Sequence, residues 1–539
     1  MTIKQIHLII MVLSFNAVVV CAQMLPLIPL PAEISLGVGT FTLTPETKII
    51  LRTNSTEVRR ACDFFLDIVN TSTGFNIGYA ESSTSSIFVE IDPQIAHSEG
   101  YRLKVTSNDI TIQAQTPAGI FYAFQTLRQL LPPMIESRVV VTNQLWTIPA
   151  VEINDEPRFP YRGLMLDVAR HFFPVSDIKR FIDLMALHKF NHLHLHLTDD
   201  QGWRVEILAY PRLQTISAWR RETLVGHLND VPRRYDGIPH GGFYTQAELR
   251  ELVRYAADRH ITIVPEINFP GHVTALLAAY PELACFDGAF EVAREWGILP
   301  NVLCPREDTF TFIENVLREV MNIFPSKYIH IGGDEVVKEQ WQRSEFCRNL
   351  MIQNNLQTFE QLQTWFMRRI AQFVQSRGRQ AIGWDEIIDG GNIPGAVIMS
   401  WRGEQGGITA ARNGNYAIMT PHRFVYFDYY QWRLRDEEPL AQGGFLPLSM
   451  VYMFEPVPQG LTDEQRKFIL GAQGNVWTEY IKEIRHLEYM TYPRACALAE
   501  VVWTPADKRS YPQFLSRLRE YSIRLEIMNV NFARHFIGR

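Results

Sequence analysis

Along most of the chain, short apolar runs rich in β-branched residues alternate with longer stretches in which apolar residues recur three and four positions apart. From Pro157 onward eight such runs follow one another, at 163–168, 192–197, 261–267, 328–331, 381–384, 396–401, 416–420 and 469–472. Each reads as a strand, and the largely apolar ones, bounded by turn residues, have no solvent face. Amphipathic helical spacing fills the intervals, for example at 175–188, 246–259, 309–323 and 358–377. Eight strand–helix units over this length predict an α/β chain whose catalytic part is a (β/α)8 TIM barrel, spanning 156–505. A doubly wound sheet is the competitor, but no Gly-rich phosphate loop follows the first strand.

The segment ahead of the barrel, 23–155, has a different texture. Strand-like runs at 48–53 and 86–91, and a hairpin of 101–105 with 110–114 around Ser107-Asn-Asp109, mix with helical spacing at 58–69 and 118–131. Pro132-Pro133 ends the second helix. This predicts a small α/β domain with no reactive constellation of its own and a structural role. Beyond the barrel, 506–539 carries one more amphipathic helix, at 511–527, expected to pack on it.

Composition changes this picture only at the edges. The chain is 539 residues, 46% hydrophobic and 20% charged, with a formal net charge of −6. That balance, without a Lys/Arg-rich run, argues against a nucleic-acid partner. Residues 1–22 carry Lys4, an apolar run and a small residue, Ala22, at the expected cut, as a secretory signal peptide does. The run is short and broken by Ser14 and Asn16, so a membrane anchor is disfavoured, and no later stretch could span a bilayer. The expectation is an exported protein, secreted, periplasmic or lysosomal according to its host. Of the cysteines after the leader, Cys285 and Cys304 flank a loop and are the best disulfide pair. Asn54 and Asn70 begin glycosylation sequons.

If the barrel forms, its chemistry lies just past the strand ends. Those positions hold Asp167, Arg170 and His171; Asp199 and Asp200; Glu266 and His272; Asp334 and Glu335; Trp384 and Asp385; Trp401; Tyr426 and Asp428; and Trp477 and Glu479. Acids, one arginine and several aromatic rings converging on one mouth suit a sugar, whose apolar faces stack on rings and whose hydroxyls bond to charged groups. A metal site built on His192-Leu-His-Leu-His196 with His272 and Asp334 is a competing reading, but no HExxH or Cys-rich ligand set accompanies it. No metal and no cofactor is expected. A sugar-binding protein without activity on the same fold is the other alternative.

One stretch narrows the reading further. His330-Ile-Gly-Gly-Asp-Glu335 resembles the signature of the family 20 glycoside hydrolases, the β-N-acetylhexosaminidases. Arg162-Gly-Leu-Met-Leu-Asp-Val-Ala-Arg-His-Phe172, His194-Leu-His-Leu-Thr-Asp-Asp-Gln-Gly-Trp203 and Pro265-Glu-Ile-Asn-Phe-Pro-Gly-His272 are similar to the same family, as are Gly383-Trp-Asp-Glu-Ile387, Tyr426-Phe-Asp428 and Asn475-Val-Trp-Thr-Glu479. Asn268 departs from it, standing where many members have Asp. The resemblance implies a retaining exo-hydrolase that uses its substrate's own 2-acetamido group as nucleophile, through an oxazolinium ion, on terminal β-linked N-acetylglucosamine or N-acetylgalactosamine. It assigns proton transfer to Glu335, and to Asp334 the orientation of the acetamido group. His272 and Asp199 would stand behind the acid, and Tyr426 would donate to the acetamido oxygen. Trp384, Trp401 and Trp477 would wall the site, and Arg170, Asp428 and Glu479 would hold hydroxyls. It also implies that Glu335 occupies the drier, more anionic position while Asp334 stays ionised. Relatives of this kind are commonly dimers, which makes a homodimer an expectation here.

Overall fold

A computed structural model of the protein describes residues 25–537; the expected leader at 1–22 lies outside the described residues. The N-terminal part is one seven-stranded sheet: β1 (Glu33–Thr42), β2 (Lys48–Leu51), β3 (Gly78–Tyr79), β4 (Ser86–Ile91), β5 (Tyr101–Val105), β6 (Asp109–Ala114) and β7 (Thr147–Asp155), in the order β1-β7-β5-β6-β4-β2-β3. Helices Thr56–Thr73 and Pro117–Leu130 belong with it. Ser55 caps the first by accepting from the Val58 N–H, and Pro117 opens the second, where its missing N–H is no loss. From Gly119 on, the second helix is buried throughout its length. It packs on the sheet while Gln129 reaches the Leu187 carbonyl of the next domain at 3.1 Å.

The eight runs of the sequence form a closed parallel barrel: β8 (Tyr161–Asp167), β9 (His192–His196), β10 (Thr262–Phe269), β11 (Tyr328–Gly332), β12 (Gln380–Trp384), β13 (Val397–Ser400), β14 (Ala417–Met419) and β15 (Ile469–Val476). Every residue of β8 is buried, as expected of a strand covered on both faces. Register matters most on β10, where Glu266 sits level with His196 of β9 and His330 of β11.

Buried charge joins the parts. Arg162, at the foot of β8, is fully buried and holds Glu99 of the small domain through two N–H groups at 2.8 and 2.9 Å. Lys189 meets Asp155 at 3.0 Å, and the Trp503 indole donates to the same carboxylate at 2.9 Å. The last long helix, Tyr511–Ile527, reaches both domains: Arg517 pairs with Glu500 at 2.6 Å and Arg524 with Glu136 at 2.5 Å.

Candidate active site

The site is organised by how the chain leaves β11. Gly332 and Gly333 take φ of 71° and 100°, and Glu335 takes 51°, a left-handed turn that brings the backbone hard against its neighbours. A Cβ on Gly332 would lie 1.7 Å from Asn268 Oδ1, and one on Gly333 2.2 Å from Ile387 Cγ2. Only glycine fits. The turn delivers Asp334 and Glu335 into one cavity of about 420 Å³, shared with Arg170, Trp384, Trp401, Tyr426, Asp428, Trp477 and Glu479. That volume suits a single sugar ring with part of a neighbour.

Asp334 lies deeper than Glu335. Its side chain is 11% exposed, against 31% for Glu335. The order of burial is thus the reverse of the expected one. The reason is local: Asp334 points down toward β10, where the Asn268 amide donates to its Oδ1 at 2.9 Å, whereas Glu335, at positive φ, leans over the open cavity. Burial pushes the Asp334 carboxyl up to about 6, with nearby Glu266 and Glu335 adding to the rise and His272 opposing it. Asp334 therefore ionises fully only above that value.

His272 links the pair to the interior. Its Nε2 lies 3.4 Å from Glu335 and 3.6 Å from Asp334. Its Nδ1 lies 3.3 Å from Asp199 and 3.1 Å from Asp200. Burial alone would strip the imidazole of its proton, but Asp199 and Asp334 outweigh it and hold the ring charged well above its ordinary range. Asp200 also accepts the Thr274 N–H at 2.9 Å, so it anchors the loop carrying His272. Asp200 stands at a strand end, but the family resemblance assigns it no role; in the chain its adjacency to Asp199 is the only clue.

Below the mouth, Glu266 is the hub. His194 Nε2 at 2.9 Å, His196 Nδ1 at 2.5 Å and Trp384 Nε1 at 2.9 Å all point at its carboxylate. His196 also donates from Nε2 to Asp199 at 2.9 Å. With both ring nitrogens on carboxylates, His196 is an imidazolium. Burial opposes that charge, but Glu266 prevails and raises its pKa to about 10. His194 goes the other way, to about 4, through burial and the neighbouring His330, and its Nδ1 accepts from Gln473 at 3.0 Å. Two clusters, His194–Glu266–His330 and Asp199–Asp200–His272, bring their ligand atoms within 4.8 Å. In the first, both Glu266 oxygens already accept N–H donors.

The opposite wall is aromatic and acidic. The Trp384 and Trp477 rings stand 5.9 Å apart, and the Trp401 and Tyr426 rings 6.1 Å apart. Trp401 donates its indole N–H to Glu386 at 2.9 Å, and the Glu335 N–H reaches the other oxygen of Glu386 at 3.4 Å. Glu386 is thus a further residue of the site. It stands in Gly383-Trp-Asp-Glu-Ile387, where the family resemblance gives a role to Trp384 alone. Arg170 bonds to Asp167 at 3.2 Å and Asp199 at 3.0 Å, and lies over the Trp477 ring at 5.0 Å. Asp428 Oδ1 and Glu479 Oε2 are buried with no hydrogen-bond partner among the described residues, and burial raises both carboxyls. At the rim, the His227 and Tyr480 rings lie 4° from parallel at 5.1 Å. Trp296 comes from the loop that the Cys285–Cys304 disulfide closes.

This constellation matches a known family along almost the whole chain. A family model described as glycosyl hydrolase family 20, catalytic domain, covers residues 159–506, and glycosyl hydrolase family 20, domain 2, covers 24–156. The chain belongs to glycosyl hydrolase family 20. Among relatives, a beta-hexosaminidase of Porphyromonas gingivalis is 40% identical over 512 residues, 94% of this chain and 64% of that protein. One from Akkermansia muciniphila is 36% identical over 78% of this chain and 83% of its own length. The family's solved β-N-acetylhexosaminidase from Streptomyces coelicolor A3(2) superposes with a TM-score of 0.82 at 31% identity, over 95% of this chain and 97% of that one. The fold is accordingly that of a family 20 enzyme, a TIM barrel behind the family's smaller domain.

Proposed function

We propose that the protein is an exo-acting β-N-acetylhexosaminidase that removes terminal β-linked N-acetylglucosamine or N-acetylgalactosamine from oligosaccharides or glycoconjugates, with retention. Glu335 donates its proton to the glycosidic oxygen as the bond to C1 breaks, and the substrate's acetamido oxygen closes on C1. Asp334 accepts the acetamido N–H and stabilises the positive charge of the oxazolinium ion. Glu335 then takes a proton from the incoming water, which opens the ring from the face the leaving group occupied. Tyr426 donates to the acetamido oxygen, and Trp384, Trp401 and Trp477 enclose the methyl group and ring. Arg170, Asp428 and Glu479 hold the hydroxyls of a chain end.

One observation carries this reading: Asp334 and Glu335 both face His272 Nε2, at 3.6 and 3.4 Å, and Asp334 already accepts one amide N–H from Asn268. A carboxylate so placed is suited to receive a second amide N–H and poorly placed to attack carbon itself. An aryl 2-acetamido-2-deoxy-β-glucoside should be cleaved and the matching aryl β-glucoside left almost untouched, with the β-hemiacetal as first product by NMR. Comparable rates on the two, or an α product, would sink the proposal. Export follows the leader at 1–22, and the pairing of Cys285 with Cys304 suits an oxidising compartment. A homodimer is the assembly expected, and light scattering on the purified protein tests it.

A further inference from the structure

Asn268 is 1% exposed on the inner side of β10 and lies between two parts of the catalytic turn. Its Oδ1 accepts the Gly333 N–H at 3.2 Å, and its Nδ2 lies 2.9 Å from Asp334 Oδ1. The backbone N–H of Gly333 can only donate, so it fixes which end of the amide is the acceptor and turns the NH2 toward Asp334. Gly332, at φ 71° and with no room for a Cβ beside Asn268, closes the slot.

We propose that Asn268 is a positioning residue for Asp334: its locked amide supplies a hydrogen-bond donor that no change of pH removes, keeping Asp334 Oδ1 an ionised acceptor aimed at the acetamido group. The inference rests on the role given to Asp334 above. The surroundings show what such a donor offsets. Asp334 faces Glu266 from β10, Glu335 beside it, Glu386 after β12 and the Tyr426 hydroxyl after β14. Against these acids, His272 is the cation nearby, at 3.6 Å. The Asn268 hydrogen bond is one of the few influences that lower the Asp334 carboxyl. An aspartate in the same slot would put a second carboxyl within 2.9 Å of the first, and two such groups cannot both ionise freely.

The test compares Asn268→Asp and Asn268→Ala with wild type, using kcat and KM for an aryl 2-acetamido-2-deoxy-β-glucoside across the pH range. In Asn268→Asp, the acid limb of kcat/KM should move up by about one pH unit or more, because a like charge raises a neighbouring carboxyl. In Asn268→Ala, kcat should fall by roughly tenfold or more at its own optimum, with KM changing by less than about threefold. Thermal melts establish that both variants are folded. An acid limb that stays in place or moves down in Asn268→Asp overturns the proposal, as does wild-type kcat in Asn268→Ala. A purely structural asparagine would lower the melting temperature without moving the limb. Failure of the wild type to prefer acetamido substrates would instead strike the proposed function.

Discussion

The two sides of the cavity treat their carboxylates in opposite ways. On the side of β10 and β11, buried acceptors are met: Asp334 by Asn268, Glu266 by two histidines and a tryptophan, and Asp199 by His196 and Arg170. On the far side, Glu386 is likewise met, by Trp401 and the Glu335 N–H, but Asp428 and Glu479 each bury an oxygen that no hydrogen-bond partner among the described residues reaches. Leaving a buried acceptor unmet costs about 1–3 kcal/mol, so it persists where something else supplies the donor. A sugar's hydroxyls are such donors. The met side is preset for bond making and breaking, and the unmet side is a receptor completed by the ligand.

That contrast sorts substitutions by what they should change. The largest effect belongs to Glu335→Gln, which removes the proton in transit; kcat on an unactivated chitobiose-type substrate should fall by roughly 10³-fold or more. Asp334→Asn should lower kcat for acetamido substrates by about 10²-fold while leaving KM within a few-fold, since its bond strengthens only as charge develops. Asp428→Asn and Glu479→Gln should act mainly on KM, by about tenfold each. If either receptor variant instead lowered kcat at unchanged KM, the division between the two sides would be wrong.

The smallest effect concerns stability. The folded protein holds the Asp334 carboxyl at about 6 against an ordinary 3.8, so between roughly pH 4 and 6 the folded state keeps a proton that the unfolded chain releases. Stability tied to this group is present below that window and lost as pH rises through it. Asp334→Asn, which cannot ionise, should therefore be the more stable protein above about pH 6, by about 1–3 kcal/mol, with the difference gone by about pH 4. Chemical denaturation at the two pH values measures it. The same ionisation should place the acid limb of wild-type kcat/KM near pH 6, which a pH–rate profile measures.

The barrel was legible in the sequence because most of its strands are short, largely apolar runs separated by helical spacing, and all eight runs lie in the closed sheet. Three strands of the small domain were not: the two-residue β3, β1 and β7. β1 contains Gly37 and Gly39 and is almost wholly exposed, and β7 contains Pro149; glycine and proline both weaken a strand reading. The cavity residues came from strand ends, which spacing alone locates. Asp200, Glu386 and Asn268 have roles set by partners on other elements, which the adjacency of Asp200 to Asp199 and the departure at Asn268 only hint at. The relative burial of Asp334 and Glu335 depends on how a glycine turn meets β10, which no pattern along the chain encodes. Asn70 gives a similar lesson: its side chain makes two hydrogen bonds of 2.9 Å to the Ile77 backbone, so a glycan there would have to displace them, whereas Asn54 is exposed.

Arg162 bears on heredity as well as on packing. Its guanidinium is sealed beneath the barrel and answered by a carboxylate, Glu99, that belongs to the other domain. Stripping away the partner of a buried charge costs about 3–5 kcal/mol, a large part of a domain's stability. A barrel moved by recombination without its small companion would carry that deficit into its new setting. A chimera joining halves from different parents should therefore lose about that much stability when the donor halves disagree at these two positions.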